Sequence, residues 1–132
     1  AADLGCQDAA IANRCQQSVG SSRFRVSASH EIVGIELGGA LKNIFAVSAG
    51  VSDGFGLGDN SKAALVTRSL AELSRLGTAM GGETRTFQGL SGAGDLVATC
   101  FSRHSRNRRV GEELGRGKTL AEITHGTKTV AE

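Results

Sequence analysis

Proline, tryptophan and tyrosine are absent from the 132-residue chain, and phenylalanine occurs only five times. A core without large aromatic anchors has to be filled by Leu, Val, Ile and Ala, which favours helices packed closely through small residues. Cysteine is also scarce. Cys6, Cys15 and Cys100 are odd in number and widely spaced, which excludes a disulfide framework or a zinc site with paired ligands, so they read as reduced, inert thiols. His30, His104 and His125 lack metal-ligand spacing, and no serine sits in a nucleophile-elbow pattern, so metal and acyl-transfer chemistry are not expected. The formal net charge of +2 is too small to argue for nucleic acid, and no aromatic side chains interleave the basic run at 103–109 to stack bases. The residues read as containing neither a signal peptide, with its basic start and apolar core, nor an uninterrupted apolar run long enough to cross a bilayer. The expectation is a soluble, cytoplasmic chain that is not inserted into a membrane.

What is present is helix. Residues 7–18 are rich in helix formers, "SVGSS" breaks them, and "RFRVSAS" alternates in the manner of one strand. A lone strand needs a partner for its backbone, and few candidates exist in the rest of the sequence. Residues 31–51 predict one long buried helix with Ile32, Ile35, Leu41, Ile44, Phe45 and Val47 on broad apolar faces, followed by a glycine-rich loop over 52–60. Asp59 or Asn60 is a candidate cap for an amphipathic helix over 61–80, striped by Leu65, Val66, Leu70, Leu73, Leu76 and Met80. A short helix starts near Asp95, another covers 109–117, and Thr119 with Glu122 forms the capping box of a last one. The fold class is mainly α. At 132 residues there is enough chain for one core, with residues 1–29 reading as the tail of another domain and 30–132 as a helical domain.

Three places could carry chemistry. Lys42 interrupts the small, apolar run "GGALKNIFAVSAG" and either reaches the solvated face or is buried, where an amine exchanges protons near neutral pH. Asp95 follows glycine-rich "SGAG" at a helix start; it either caps that helix or faces Lys42 and fixes its amine. Ser105, Arg106 and Asn107 precede a helix, which combines side-chain donors with free backbone N–H groups, a recipe for a phosphate, although a solvated basic face fits the same letters. The spaced glycines of "GFGLGD" follow a helix and lack a preceding strand, so they are no dinucleotide fingerprint.

Read together, "ELGGALKNIFAVSAGVSDGFGLGDNSKAALVTRSLAELSRLG", "TFQGLSGAGDLVATC" and "SRNRRVGEELGRGK" closely resemble the C-terminal part of bacterial NAD(P)-dependent glycerol-3-phosphate dehydrogenase. The resemblance spans residues 22–132, with residues 1–21 a weaker match to the end of that family's nucleotide-binding domain. It implies a helical substrate domain of the 6-phosphogluconate-dehydrogenase C-terminal-like type, behind a short strand-containing remnant of a Rossmann domain. It also implies interconversion of dihydroxyacetone phosphate and sn-glycerol 3-phosphate for phospholipid synthesis, with hydride supplied by NAD or NADP. By the same resemblance Lys42 takes the proton from the substrate hydroxyl, and Asp95, Ser105, Arg106 and Asn107 contact glycerol phosphate; Asn43, because it adjoins that lysine, is expected to hold the reacting oxygen. Arg106, Val130 and Glu132 are implied to reach the cofactor, while Arg103, Arg108 and Arg109 read as surface or supporting charge.

The family's glycine-rich fingerprint and further substrate residues would lie upstream of Ala1, so the chain is expected to be a catalytically incomplete piece that works on a small molecule, with a homodimer as one possible assembly. Two rivals stand beside this reading. One is a related two-domain dehydrogenase acting on another small phosphorylated or carboxylated alcohol. The other is a non-catalytic helical interaction module of the same fold.

Overall fold

The structure, a computed structural model, describes residues 1–125. Among these, two short strands and seven α-helices follow one another in the order β1 (Ala2–Gly5), α1 (Ala9–Val19), β2 (Val26–Ser29), α2 (Ile32–Gly54), α3 (Gly58–Ala79), α4 (Thr84–Gln88), α5 (Asp95–Phe101), α6 (Arg106–Gly115) and α7 (Leu120–Thr124), with a π-helical turn over Leu90–Gly94. The mainly α architecture is as expected. The expected strand is shorter than "RFRVSAS", and its partner comes from a segment with no strand signal. β1 runs parallel to β2 in register from Ala2 opposite Val26 to Gly5 opposite Ser29. The crossover is α1, capped by Asp8, whose carboxylate accepts from the N–H groups of Ala10 and Ile11 at 2.8 and 3.0 Å. Gln16 on α1 donates to the Val26 carbonyl at 2.6 Å, tying helix to strand.

The long helix forms but runs further than its apolar pattern. Glu31 caps it by accepting from the Gly34 N–H at 2.7 Å, and it continues through Gly54, so that Ser52 and Asp53 are helical rather than loop. Its buried face is made of small residues, Gly34, Gly38, Ala46, Ala49, Gly50 and Ser52, while Ile44 and Val33 are exposed. By length and composition this helix is apolar enough to cross a membrane, a feature the uninterrupted-run criterion overlooks.

α3 likewise begins earlier than its expected caps. Leu57 occupies the cap position without a side-chain bond, and Asp59 and Asn60 lie inside the first turn, because Gly56 and Gly58 take φ of +69° and +79° and turn the chain at once into the helix. The buried stripe of α3 is Lys62, Val66, Ser69, Leu73 and Gly77; Leu76 and Met80, placed on the stripe by sequence, are exposed.

The small residues explain the packing. α2 packs most extensively on α6, and the two backbones meet where Gly50 and Gly54 face Gly111 and Gly115. A Cβ on Gly111 would stand 2.0 Å from the Val47 carbonyl oxygen, closer than any real contact. Around this seam Ala46, Ala49, Val66, Leu96 and Cys100 form the core, with Phe45, Leu65 and Leu70 packed against it. Phe87 is fully buried against Gly77 and Gly82. The capping box of α7 is present as read: Thr119 and Glu122 exchange side-chain-to-backbone bonds at 2.7 and 3.3 Å.

Candidate active site

Lys42 sits on α2 one turn after Gly38 and one turn before Ala46, on the buried side of the helix. The absence of a side chain at Gly38 lets the π-helical turn come close, since a Cβ there would lie 2.3 Å from the Ser91 carbonyl oxygen. That approach delivers Asp95, the first residue of α5, to the Lys42 amine. Lys42 Nζ donates to Asp95 Oδ2 in an ion pair. The lysine is half-buried, with its side chain 23% exposed, between the solvated and the buried placements its sequence context allows, because its amine reaches the wall of an open cleft. One turn on, the Thr99 hydroxyl donates to the Asp95 main-chain carbonyl at 2.6 Å and lies 3.4 Å from the other carboxylate oxygen, Asp95 Oδ1.

The second half of the site is the start of α6. This helix begins at Arg106, earlier than expected. Ser105 is its N-cap, accepting through Oγ from the Arg108 N–H at 3.2 Å, and Arg106 and Asn107 fall in the first turn. Among the described residues the Ser105 hydroxyl makes no donated bond, and its O–H can serve a ligand oxygen. Asn107 is buried, 7% exposed, and its Oδ1 has no hydrogen-bond partner among the described residues. A buried amide oxygen left without a donor is costly, which marks Asn107 as a group suited to a hydroxyl-bearing ligand. Arg106 is exposed at the rim.

Lys42, Asn43, Ser105, Arg106 and Asn107 thus converge on one cleft of about 450 Å³ between α2, α5 and α6. Asp95 touches Lys42 but faces a neighbouring hollow of about 380 Å³ shared with Asp3 and Ser91. Asp3 accepts from the Ser91 N–H at 3.0 Å, which fastens β1 to the turn preceding Asp95. Val130 and Glu132 lie outside the described residues.

One cluster was missed. Asp53 on α2, Lys62 on α3 and Arg108 on α6 meet behind the cleft, and Asp53 Oδ2 accepts from Lys62 Nζ at 2.7 Å and from Arg108 Nε at 2.7 Å. Arg108, read as surface or supporting charge, has a side chain only 15% exposed, because the glycine seam draws α6 against α2. Desolvation works to raise the Asp53 carboxyl, but hydrogen bonds and charge from Lys62 and Arg108 outweigh it and hold the group below its usual range. The available signal was Lys62 itself, a charge four residues before Val66 on the stripe of α3.

The family description for the NAD-dependent glycerol-3-phosphate dehydrogenase C-terminus matches residues 31–132. The chain belongs to that glycerol-3-phosphate dehydrogenase family. It is 55% identical over 121 residues to the glycerol-3-phosphate dehydrogenase [NAD(P)+] of Chlorobium chlorochromatii, covering 92% of this chain and 36% of the relative. A Geobacter relative of the same description is 54% identical over 123 residues, 93% of this chain and 37% of its own. Among solved structures, glycerol-3-phosphate dehydrogenase from Coxiella burnetii superimposes with a TM-score of 0.94 at 39% identity, covering 99% of this chain and 41% of that one. The Dunaliella salina enzyme gives a TM-score of 0.79 at 29% identity, covering 97% of this chain and 23% of that one. The chain therefore spans little more than a third of the length of the curated glycerol-3-phosphate dehydrogenases it matches, 36% for the Chlorobium relative.

Proposed function

We propose that this chain forms the substrate half of a NAD(P)-dependent glycerol-3-phosphate dehydrogenase site, interconverting dihydroxyacetone phosphate and sn-glycerol 3-phosphate. The observation that carries the reading is the convergence of the Lys42 amine, held by Asp95, with the Ser105–Asn107 helix start on one cleft. The phosphate lies at the N-terminus of α6, where first-turn N–H groups, the Ser105 hydroxyl and the Arg106 guanidinium supply donors and positive potential. Asn107 Oδ1 accepts from a substrate hydroxyl. In reduction, Lys42 Nζ gives its proton to the oxygen that becomes the C2 hydroxyl; in oxidation it takes that proton back. Asp95 orients the amine, and Asn43 beside it steadies the same oxygen.

A nicotinamide dinucleotide, when bound, supplies or receives the hydride. Within the described residues Arg106 is the group whose chemistry fits it, a rim guanidinium matched to dinucleotide phosphates. Val130 and Glu132 complete this proposal. Residues 1–29 are read as the end of the nucleotide-binding domain and 30–132 as the substrate domain, in a cytoplasmic protein not inserted in a membrane. Supporting that reading, the apolar helix α2 carries two ion-paired residues, Lys42 and Asp53. A homodimer is the assembly to be checked by sedimentation.

The test is dihydroxyacetone-phosphate-dependent consumption of NADH and NADPH by a full-length dehydrogenase carrying this segment, beside phosphate-free and carboxylated analogues. Preference for the phosphorylated ketone is the expected result. Preference for a carboxylated analogue would transfer the site to a related dehydrogenase, and no turnover of any of them would point to a non-catalytic module.

A further inference from the structure

We propose that Asp53, Lys62 and Arg108 are positioning residues, a half-buried clasp that sets where the Ser105–Asn107 turn stands relative to Lys42. The inference rests on the reading of the cleft as a phosphate-substrate site.

The geometry of Arg108 carries it. This residue follows the Ser105–Arg106–Asn107 triplet directly and is fixed at three points. Its N–H donates to Ser105 Oγ at 3.2 Å. Its carbonyl oxygen lies against Gly50 of α2, where a Cβ would be only 1.9 Å away. Its guanidinium meets Asp53 Oδ2 at 2.7 Å through Nε and 2.5 Å through Nη2. The first turn of α6 is thereby bound by main chain and side chain to α2, the helix that also carries Lys42.

Lys42 and Asp53 are separated by about 16 Å of continuous helix at the usual rise per residue. A helix of that length transmits position faithfully, so anchoring α6 at Asp53 fixes the distance between the proposed proton-transfer amine and the phosphate-binding turn. Lys62 completes the clasp from α3: its amine donates to Asp53 Oδ2 at 2.7 Å and lies 4.7 Å from the centre of the Phe101 ring. Glu112 Oε2, at 3.6 Å from Arg108 Nη2, offsets the second cation.

Neither Asp53 nor Lys62 lines the cleft, so their influence has to pass through Arg108 and the helices. An ion cluster largely withdrawn from water is a poor device for stability alone, because well-packed apolar side chains of similar volume would hold three helices together as well or better. What directional charges add is register: the carboxylate accepts only when α2, α3 and α6 stand in one relative position.

The experiment compares Asp53→Asn, Arg108→Met and Arg108→Lys in a full-length dehydrogenase carrying this segment. Steady-state kinetics are measured with dihydroxyacetone phosphate and with phosphate-free dihydroxyacetone, and circular dichroism reports folding. Asp53→Asn and Arg108→Met are expected to raise KM for the phosphorylated ketone by about tenfold or more, with a clearly smaller fall in kcat/KM for the phosphate-free ketone, which keeps only the hydroxyl contact at Asn107. Arg108→Lys, which still reaches Asp53 but lacks the fork, is expected to recover part of the loss. If Asp53→Asn or Arg108→Met does not fold, Arg108→Lys decides on the same two substrates. Unchanged KM in folded variants, or equal losses on both ketones, would overturn the clasp while leaving an active parent's assignment intact. A parent with no activity toward dihydroxyacetone phosphate would remove the underlying reading, and the clasp with it.

Discussion

Alanine in place of glycine on α2 is expected to have opposite effects at two positions, and the pair tests the helix seam on which the site depends. At Gly50 a Cβ would stand 1.9 Å from the Arg108 carbonyl oxygen and 2.7 Å from the Glu112 nitrogen, both backbone atoms that no rotamer can move aside. Restoring a carbon-to-oxygen contact of about 3.3 Å requires α6 to retreat by roughly 1.4 Å. Overpacking of that kind costs about 1–3 kcal/mol. The same retreat takes Arg108 beyond hydrogen-bond reach of Asp53, where its nitrogens now lie at 2.5 and 2.7 Å, and the loss of a partner to a half-buried carboxylate costs about 1–3 kcal/mol more. Against this stands about 1 kcal/mol of improved helix propensity.

The net is a destabilisation of roughly 1–5 kcal/mol, which at the middle of that range lowers Tm by roughly 10 °C for a chain of this size. At Gly39, on the same helix, a Cβ meets nothing within 4 Å, so Gly39→Ala keeps only the propensity gain and is expected to stabilise by about 0.5–1 kcal/mol. Thermal unfolding followed by circular dichroism, with urea titration as a second measure, reads both. A Gly50→Ala variant as stable as the parent would show that α2 and α6 do not meet backbone to backbone there.

The depressed carboxyl of Asp53 makes stability depend on acid. Its folded-state value lies below the ordinary 3.8, so between the two the unfolded chain binds more protons and stability rises with pH; the contribution is complete above about pH 4 and is lost as pH falls through the folded value. Asp53→Asn is therefore expected to be less stable at neutral pH and to show a flatter acid limb, which urea midpoints across the acid range will measure. Burial pushes the Cys100 thiol up to about 11, with Lys62 opposing and Asp53 adding to the effect. Iodoacetamide at about pH 8 is expected to modify Cys6 and Cys15 in the folded protein and Cys100 only after unfolding, as peptide mass spectrometry would report. Arg106→Ala is expected to raise KM for dihydroxyacetone phosphate by about tenfold or more and to leave the phosphate-free ketone nearly unaffected; equal losses on both would remove Arg106 from phosphate recognition.

Much of the site was legible because its chemistry is local. Lys42 in a small-residue helix, Asp95 after a glycine run and Ser105–Asn107 at a helix start each carry their signal within a few letters. Their assembly follows from one further fact, the close approach allowed at Gly38. The misreadings share a cause. Periodicity was assigned to large apolar residues, yet α2 buries glycine and alanine and exposes Ile44, because close helix packing selects for the side chain that is missing. Likewise "SDGFGLGDN" reads as loop by composition, which hid Asp53 at the end of α2, while Lys62 falls in the expected next helix but outside the apolar stripe assigned to it. β1 escaped notice because Ala, Asp, Leu and Gly carry no strand preference; its pairing is imposed by the crossover through α1.

The most direct test of the central claim is the turnover of Lys42→Ala in a full-length dehydrogenase carrying this segment, with dihydroxyacetone phosphate and reduced cofactor both saturating. If Lys42 Nζ moves the proton, kcat falls by on the order of a hundredfold or more while the protein stays folded. A folded Lys42→Ala variant with near-parental kcat would contradict the account.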